Sequence, residues 1–141
     1  MQRILVKLLL ILNKLFPRLA IHRKLEHAKQ STAAYFNAEM REGRQVFGEF
    51  GVESDLSGKT VLDLGSGLGG KTCLYSQYGA NPSIGLDIRP ESVIAANTLT
   101  KPASGKTHCS PLFVLGDGGR MPLCDGAVDM IVSINVFEHL E

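Results

Sequence analysis

Short apolar runs alternate along the chain with segments whose apolar residues recur every three to four positions, and this alternation marks out its elements. From Thr60 onward the order is regular. VLDL (61–64) reads as a strand, and residues 69–78 as a helix closed by Gly79. SIGLDI (83–88) reads as a second strand. The helix after it opens at Pro90, whose fixed φ suits a first turn and whose missing N–H is not needed there. Arg89 stands where a Ser or Asp cap would ordinarily precede that helix. PLFVLGD (111–117) and VDMIVSI (128–134) read as a third and a fourth strand, and FEHLE (137–141) as the start of another helix. Strands that are apolar nearly throughout are buried on both faces. They predict an α/β fold, a Rossmann-like parallel sheet with helices on both faces.

Upstream the period is helical. In residues 31–50, Phe36, Met40, Gly43, Phe47 and Phe50 recur on one face, Gly51 is a stop, and the stripe is expected to pack on the core. VESDLSGK (52–59) reads as a polar turn. In residues 1–20, nine large apolar side chains share one half of a helical projection, while Arg3, Lys7, Lys14 and Arg18 form a stripe on the other. Pro17 kinks or ends that helix. Its longest uncharged run, Leu8 to Asn13, falls far short of the ~20 apolar residues a membrane span needs. A secretory signal is poorly matched, because Asn13 and Lys14 interrupt the apolar run and no clear A-x-A cleavage site follows. Two readings stay open for this arm: packing against protein, or lying in the plane of an anionic membrane surface. The expected organisation is thus a basic amphipathic arm over 1–30, a helix and connecting turn over 31–54, and the α/β domain over 55–141.

Composition narrows the classes. With 44% hydrophobic and 21% charged residues, the 141-residue chain reads as about one globular domain and not as a disordered segment. The net charge of +1 hides an asymmetry: residues 1–30 carry seven Lys/Arg against Glu26 alone, and the rest is acidic by five. Cys73, Cys109 and Cys124 are unclustered, which fits free thiols in a reducing compartment. His22, His27, His108 and His139 are equally dispersed, so no protein-built metal site is expected. The implied location is cytoplasmic, peripheral on the inner face of a membrane if the arm is a membrane anchor, and no nucleic-acid partner is expected.

The chemistry concentrates in VLDLGSGLGG (61–70). Gly65, Gly67 and Gly70 fit the G-x-G-x-x-G spacing of a dinucleotide site. Asp63, Gly65, Gly67 and Gly69, with Ser66 between them, fit the D-x-G-x-G-x-G spacing of methyltransferases that use S-adenosylmethionine. The loop alone leaves both open. Asp87, at the end of the second strand, is placed to accept from two ribose hydroxyls, which both cofactors carry. Asp63 separates them: a carboxylate there would repel a pyrophosphate and suit a sulfonium and an ammonium.

A second block, GDGGRMPLCDGAVDMIVSINVFEHLE (116–141), follows in order. With VLDLGSGLGG and GLDIRPES it makes residues 55–141 resemble the class I S-adenosylmethionine-dependent methyltransferases, and within them the small-molecule subgroup called methyltransferase type 11. The resemblance implies that Asp63, Gly65, Ser66 and Gly67 border the methionine moiety and that Asp87 holds the ribose hydroxyls. It further implies that Ile88 packs on the adenine, Asp117 accepts from its amino group and the Gly118 N–H bonds a ring nitrogen. Ser133 to Asn135 would lie beneath the sulfonium. Asp129 is expected to be a solvent-facing acid. Glu138 and His139, neighbours about 100° apart on a helix, are assigned no role. No catalytic residue is assigned. The family's sheet has seven strands and this sequence ends after the fourth, so a truncated domain with an exposed sheet edge is expected. The implied activity is methyl transfer to a small-molecule or lipid-like acceptor. The alternatives are an NAD-dependent oxidoreductase and a non-catalytic, membrane-recruited cofactor-binding module.

Overall fold

The computed structural model describes residues 9–10, 32–101, 111–134 and 136. Its elements in chain order are β1 (Leu9–Leu10), α1 (Thr32–Phe50), β2 (Val61–Leu64), α2 (Gly70–Gln77), β3 (Ser83–Asp87), α3 (Pro90–Leu99), β4 (Leu112–Leu115) and β5 (Met130–Ser133). The five strands form one sheet in the order β1-β5-β2-β3-β4, and every pairing is parallel. The alternation of strand and helix read from residues 60–134 is therefore what the chain adopts, with strand ends drawn in by one to two residues.

The two faces of the sheet follow from the two-residue period of β2. Val61 points to the side of α1 and α2, into a core with Val46, Phe47, Leu56, Leu74, Tyr75 and Val132. Leu62 and Leu64 point the other way, clustering with Leu86 and packed by Leu123, Val128 and Val136. The Phe47 and Tyr75 rings meet edge to face, 5.2 Å apart at 86°, a geometry that contributes about 0.5–1.5 kcal/mol beyond the buried area. Gly43 lets α1 approach α2 closely, since a Cβ there would lie 2.8 Å from Leu74 Cδ2. Gly51 ends α1, its N–H donating to Phe47 O at 2.8 Å.

Three expectations change. The buried stripe of α1 consists of Glu39, Gly43, Val46 and Phe47, whereas Phe50, the last residue of the helix, is 50% exposed. The segment 52–59 is more than a polar turn: Glu53–Leu56 is a 3-10 helix that fully buries Leu56. An unbroken helix over 1–20 does not hold at Leu9–Leu10, which lie extended beside β5 with Leu9 opposite Val132 and Leu10 opposite Ser133. A strand edge offers unpaired N–H and C=O groups, and a short apolar run satisfies them as readily as it forms a helix. At these two residues the β5 edge is consequently covered instead of exposed. The rest of the arm and the expected helix over 137–141 lie outside the described residues. Among the described residues, no helix is long and apolar enough to cross a membrane.

Candidate functional site

The carboxyl ends of the strands stand side by side, with Leu64 level with Leu86 and Ser133, and Asp87 level with Leu115. In an open α/β sheet the ligand crevice lies outside such ends. The glycine turn runs across this edge. The Gly65 and Ser66 N–H groups both donate to Leu86 O, at 2.8 and 3.0 Å, which ties the turn to β3. Gly65 and Gly67 have φ of 75° and 56°, the left-handed region that a side chain disfavours. A Cβ on Gly65 would run into Val136, and one on Gly67 would lie 2.5 Å from Glu39 Oε1. The Ser66 hydroxyl is buried with no hydrogen-bond partner among the described residues.

Three carboxylates surround the turn. Asp63, only 2% exposed, accepts from Thr72 Oγ1 of α2 at 2.6 Å. Asp87 accepts the Gly67 N–H on Oδ2 and the Arg89 N–H on Oδ1, each at 2.9 Å, and the Arg89 guanidinium lies 3.6 Å away. Glu39 of α1, 7% exposed, accepts the Gly70 N–H at 2.9 Å and the Leu68 N–H at 3.2 Å. The Gly67, Leu68 and Gly70 amides are therefore already donating to protein carboxylates.

That arrangement separates the two cofactor classes. A pyrophosphate binds such a turn through its free N–H groups and the positive helix end. Here the Gly67, Leu68 and Gly70 donors are engaged, and two phosphate charges would face Glu39, Asp63 and Asp87, all nearly closed off from solvent. The site instead favours a ligand with positive charge. Burial dominates its electrostatics, pushing the Glu39 carboxyl up to about 7 and the Asp63 carboxyl up to about 6. The hydrogen bonds from Gly70 and Leu68 oppose the rise at Glu39, and the Thr72 hydroxyl opposes it at Asp63. Lys71 lowers both, although its ammonium is held by Glu42 at 2.8 Å. The Cys73 thiol, also raised by burial, to about 11, is no thiolate nucleophile.

S-adenosylmethionine fits what is present. One hydrogen bond to each Asp87 oxygen leaves acceptor capacity for a ribose diol, because a carboxylate has about four lone-pair sites. Ile88, 66% exposed beside it, offers an apolar surface for a base. Asp117 is also exposed and near that edge, since the Gly116 N–H donates to Asp87 O at 3.0 Å. Its Oδ1 takes the Gly119 N–H at 2.8 Å, so the acid shapes its own turn around Gly118. Ser133 is buried, with its hydroxyl donating to Leu64 O at 3.4 Å. Asn135 lies outside the described residues. Asp129 faces solvent as expected but also accepts the Thr60 N–H at 2.9 Å, joining the starts of β2 and β5.

Sequence reading missed Glu39. Its signal is an acid three residues after Phe36 and four before Gly43, on the face meant for the core, where an unpaired carboxylate would be costly.

Comparison with known proteins agrees with this geometry. Residues 62–141 match the family model of the methyltransferase domain, Methyltransf_11. Ajmaline N-methyltransferase of Rauvolfia serpentina is 36% identical over 97 residues, covering 67% of this chain and 32% of the relative. The 2-methyl-6-phytyl-1,4-hydroquinone methyltransferase of Synechocystis is 32% identical over 91 residues, covering 64% of this chain and 27% of the relative. The chain thus spans about a third of the length of the curated relatives it matches. In fold it is similar to the magnesium protoporphyrin IX methyltransferase of Synechocystis solved with its bound cofactor (TM-score 0.57, 23% identity, 93% of this chain and 63% of that one). It is also similar to the PH0226 protein of Pyrococcus horikoshii (TM-score 0.60, 24% identity, 72% and 45%). The matched span opens in β2 and takes in the glycine turn, Asp87 and Asp117, and on that ground the chain belongs to the methyltransferase domain family, whose cofactor is S-adenosylmethionine.

Proposed function

We propose that the intact protein transfers a methyl group from S-adenosylmethionine to a small-molecule acceptor. The observation that carries this reading is the set of three carboxylates at the glycine turn: Glu39 takes the Leu68 and Gly70 amides, Asp87 takes the Gly67 amide, and Asp63 takes the Thr72 hydroxyl. Such a site rewards positive charge and resists phosphate. When bound, the cofactor supplies a methyl group on a sulfonium, which leaves behind a neutral thioether. The chain's own residues bind and orient: Asp87 accepts from the ribose hydroxyls, Ile88 covers the base, and Asp117 and the Gly118 N–H meet its polar edge. Gly65 and Gly67 keep the turn free of side chains where the methionine moiety passes. Holding two reactants in line can supply much of the rate of a displacement without a side chain joining the chemistry, so no catalytic residue is assigned.

The two curated relatives are named for ajmaline and for a phytyl hydroquinone. These names support an acceptor with a large apolar body and a nitrogen or an electron-rich ring, lipid-like in the second case. The test has two stages. Calorimetry should show binding of S-adenosylhomocysteine and none of NAD. Transfer of labelled methyl should then be assayed against a panel of tertiary amines and prenylated hydroquinones. Binding of NAD in preference to the adenosyl compound would overturn the assignment.

A further inference from the structure

Glu39 reaches the glycine turn from outside the matched family span, on a helix 31 positions before Gly70. It is the acid on an otherwise apolar or small-residue face. Its two oxygens divide the work: Oε1 takes the Leu68 N–H and Oε2 takes the Gly70 N–H. Oε1 also lies 2.5 Å from where a Cβ on Gly67 would be, so the carboxylate packs directly under the turn. Two amides converging on one carboxylate specify an acceptor at both oxygens. An amide presents only donors on its nitrogen and cannot satisfy both, and a carboxylic acid turns one oxygen into a donor that accepts more weakly.

We propose that Glu39 is a positioning residue for the cofactor: its ionised carboxylate fixes the Leu68 and Gly70 amides and thereby holds the glycine turn in its ligand-accepting shape. The inference rests on the assignment of S-adenosylmethionine to this turn. Two consequences follow. Ligand binding, which wants the ordered turn and brings an ammonium to the acidic cleft, favours ionised Glu39 and so releases a fraction of a proton near neutral pH. Protonation of Glu39 loosens the turn and lowers affinity. The groups facing Glu39 are Asp63 on β2, Lys71, Cys73 and Tyr75 on α2, and Tyr35 on its own helix, with Glu42 of that helix paired to Lys71. Lys71 and Cys73 are raised, as are the two tyrosines, so they keep their protons near neutrality. Asp63, raised to about 6, titrates at the lower edge of the range that Glu39 governs, and its share is what remains in a Glu39→Gln variant.

The test uses S-adenosylhomocysteine, calorimetry in buffers of different ionisation enthalpy, and the intact protein as wild type and as Glu39→Gln. Wild-type affinity should rise between about pH 6 and pH 8, with protons released on binding. Glu39→Gln should bind about tenfold more weakly at the upper pH, equivalent to 1.4 kcal/mol, and should lose the dependence above about pH 6.5. If the variant does not fold, the wild-type Leu68 and Gly70 amide resonances decide: they should titrate together near neutrality and stop doing so with ligand bound. Equal affinity and an unchanged pH profile in Glu39→Gln, or amides that do not titrate, would overturn the proposal. Failure of the wild type to bind S-adenosylhomocysteine at all would instead overturn the cofactor assignment.

Discussion

Thr72 Oγ1 donates to the Asp63 carboxylate at 2.6 Å, with both side chains closed off from solvent. β2 and the first turn of α2 are thereby joined by a charge-assisted hydrogen bond beneath the glycine turn, and the acid that the motif places next to a ligand is held from inside the fold. Asp63 is thereby nearly closed off from solvent and fixed to α2.

Replacing Thr72 by Val keeps the shape and removes the donor. A buried carboxylate left short of a partner costs about 1–3 kcal/mol. The loss should be larger at about pH 8 than at about pH 5, because Asp63 is charged only above its raised value of about 6. Urea unfolding at the two pH values checks this, and an equal loss at both would mean that Asp63 does not change its charge between them.

The unliganded protein should gain stability on mild acidification. Glu39 and Asp63 both have folded values above their unfolded ones, about 7 against 4.5 and about 6 against 3.8. For such groups the stabilising contribution is complete below the unfolded value and is lost as pH rises through the folded one. Relative to a Glu39→Gln variant, wild-type thermal stability should therefore fall between about pH 5 and pH 8, opposite to the cofactor affinity. A wild-type minus Glu39→Gln difference that grows with pH would contradict this placement of the charges.

Where an element's own residues decide its form, the sequence was legible. The strands from VLDL to MIVS show as apolar runs because a parallel sheet buries both faces, and Asp63, Asp87 and the glycines show because their spacing is local. Glu39 was not legible, because its partners lie 29 and 31 residues away and only the docking of α1 on α2 brings them together. Leu9–Leu10 failed for a different reason. A six-residue uncharged run carries both the helical and the extended pattern, and the choice belongs to the edge of β5, 123 residues further on.

Asp87→Ala should weaken binding of S-adenosylhomocysteine by at least about tenfold, or 1.4 kcal/mol. The substitution removes the acceptor proposed for the ribose hydroxyls and also frees the Gly67 and Arg89 amides that the carboxylate now fixes. Asp87→Asn separates these effects, since an amide can still accept one bond but presents a donor to the other partner. Its affinity should fall between that of wild type and Asp87→Ala. Calorimetry on both variants provides the measure, and an unaffected Asp87→Ala would remove this residue from the ligand site.

Two glycines in the same backbone region allow the last prediction to separate strain from space. Gly65 and Gly126 have φ of 75° and 74°, so adding a Cβ imposes a similar left-handed penalty at each, about 1–2 kcal/mol. Their surroundings differ. Nothing lies within 4 Å of a Cβ on Gly126, whereas one on Gly65 collides with the Val136 side chain. Val136 packs against the Leu62, Leu64 and Leu86 cluster, so it cannot retreat without opening that part of the core. Gly126→Ala should thus cost only the backbone term and leave cofactor binding intact. Gly65→Ala should cost at least about 1 kcal/mol more, the usual range for overpacking, and should also weaken binding, because the turn it distorts is tied to Leu86 O. The double variant Gly65→Ala with Val136→Ala should recover part of the stability difference, since the smaller side chain removes the collision while the backbone penalty stays. Denaturant unfolding of the four proteins gives the comparison, and Gly65→Ala no more costly than Gly126→Ala would show that the turn does not need the space.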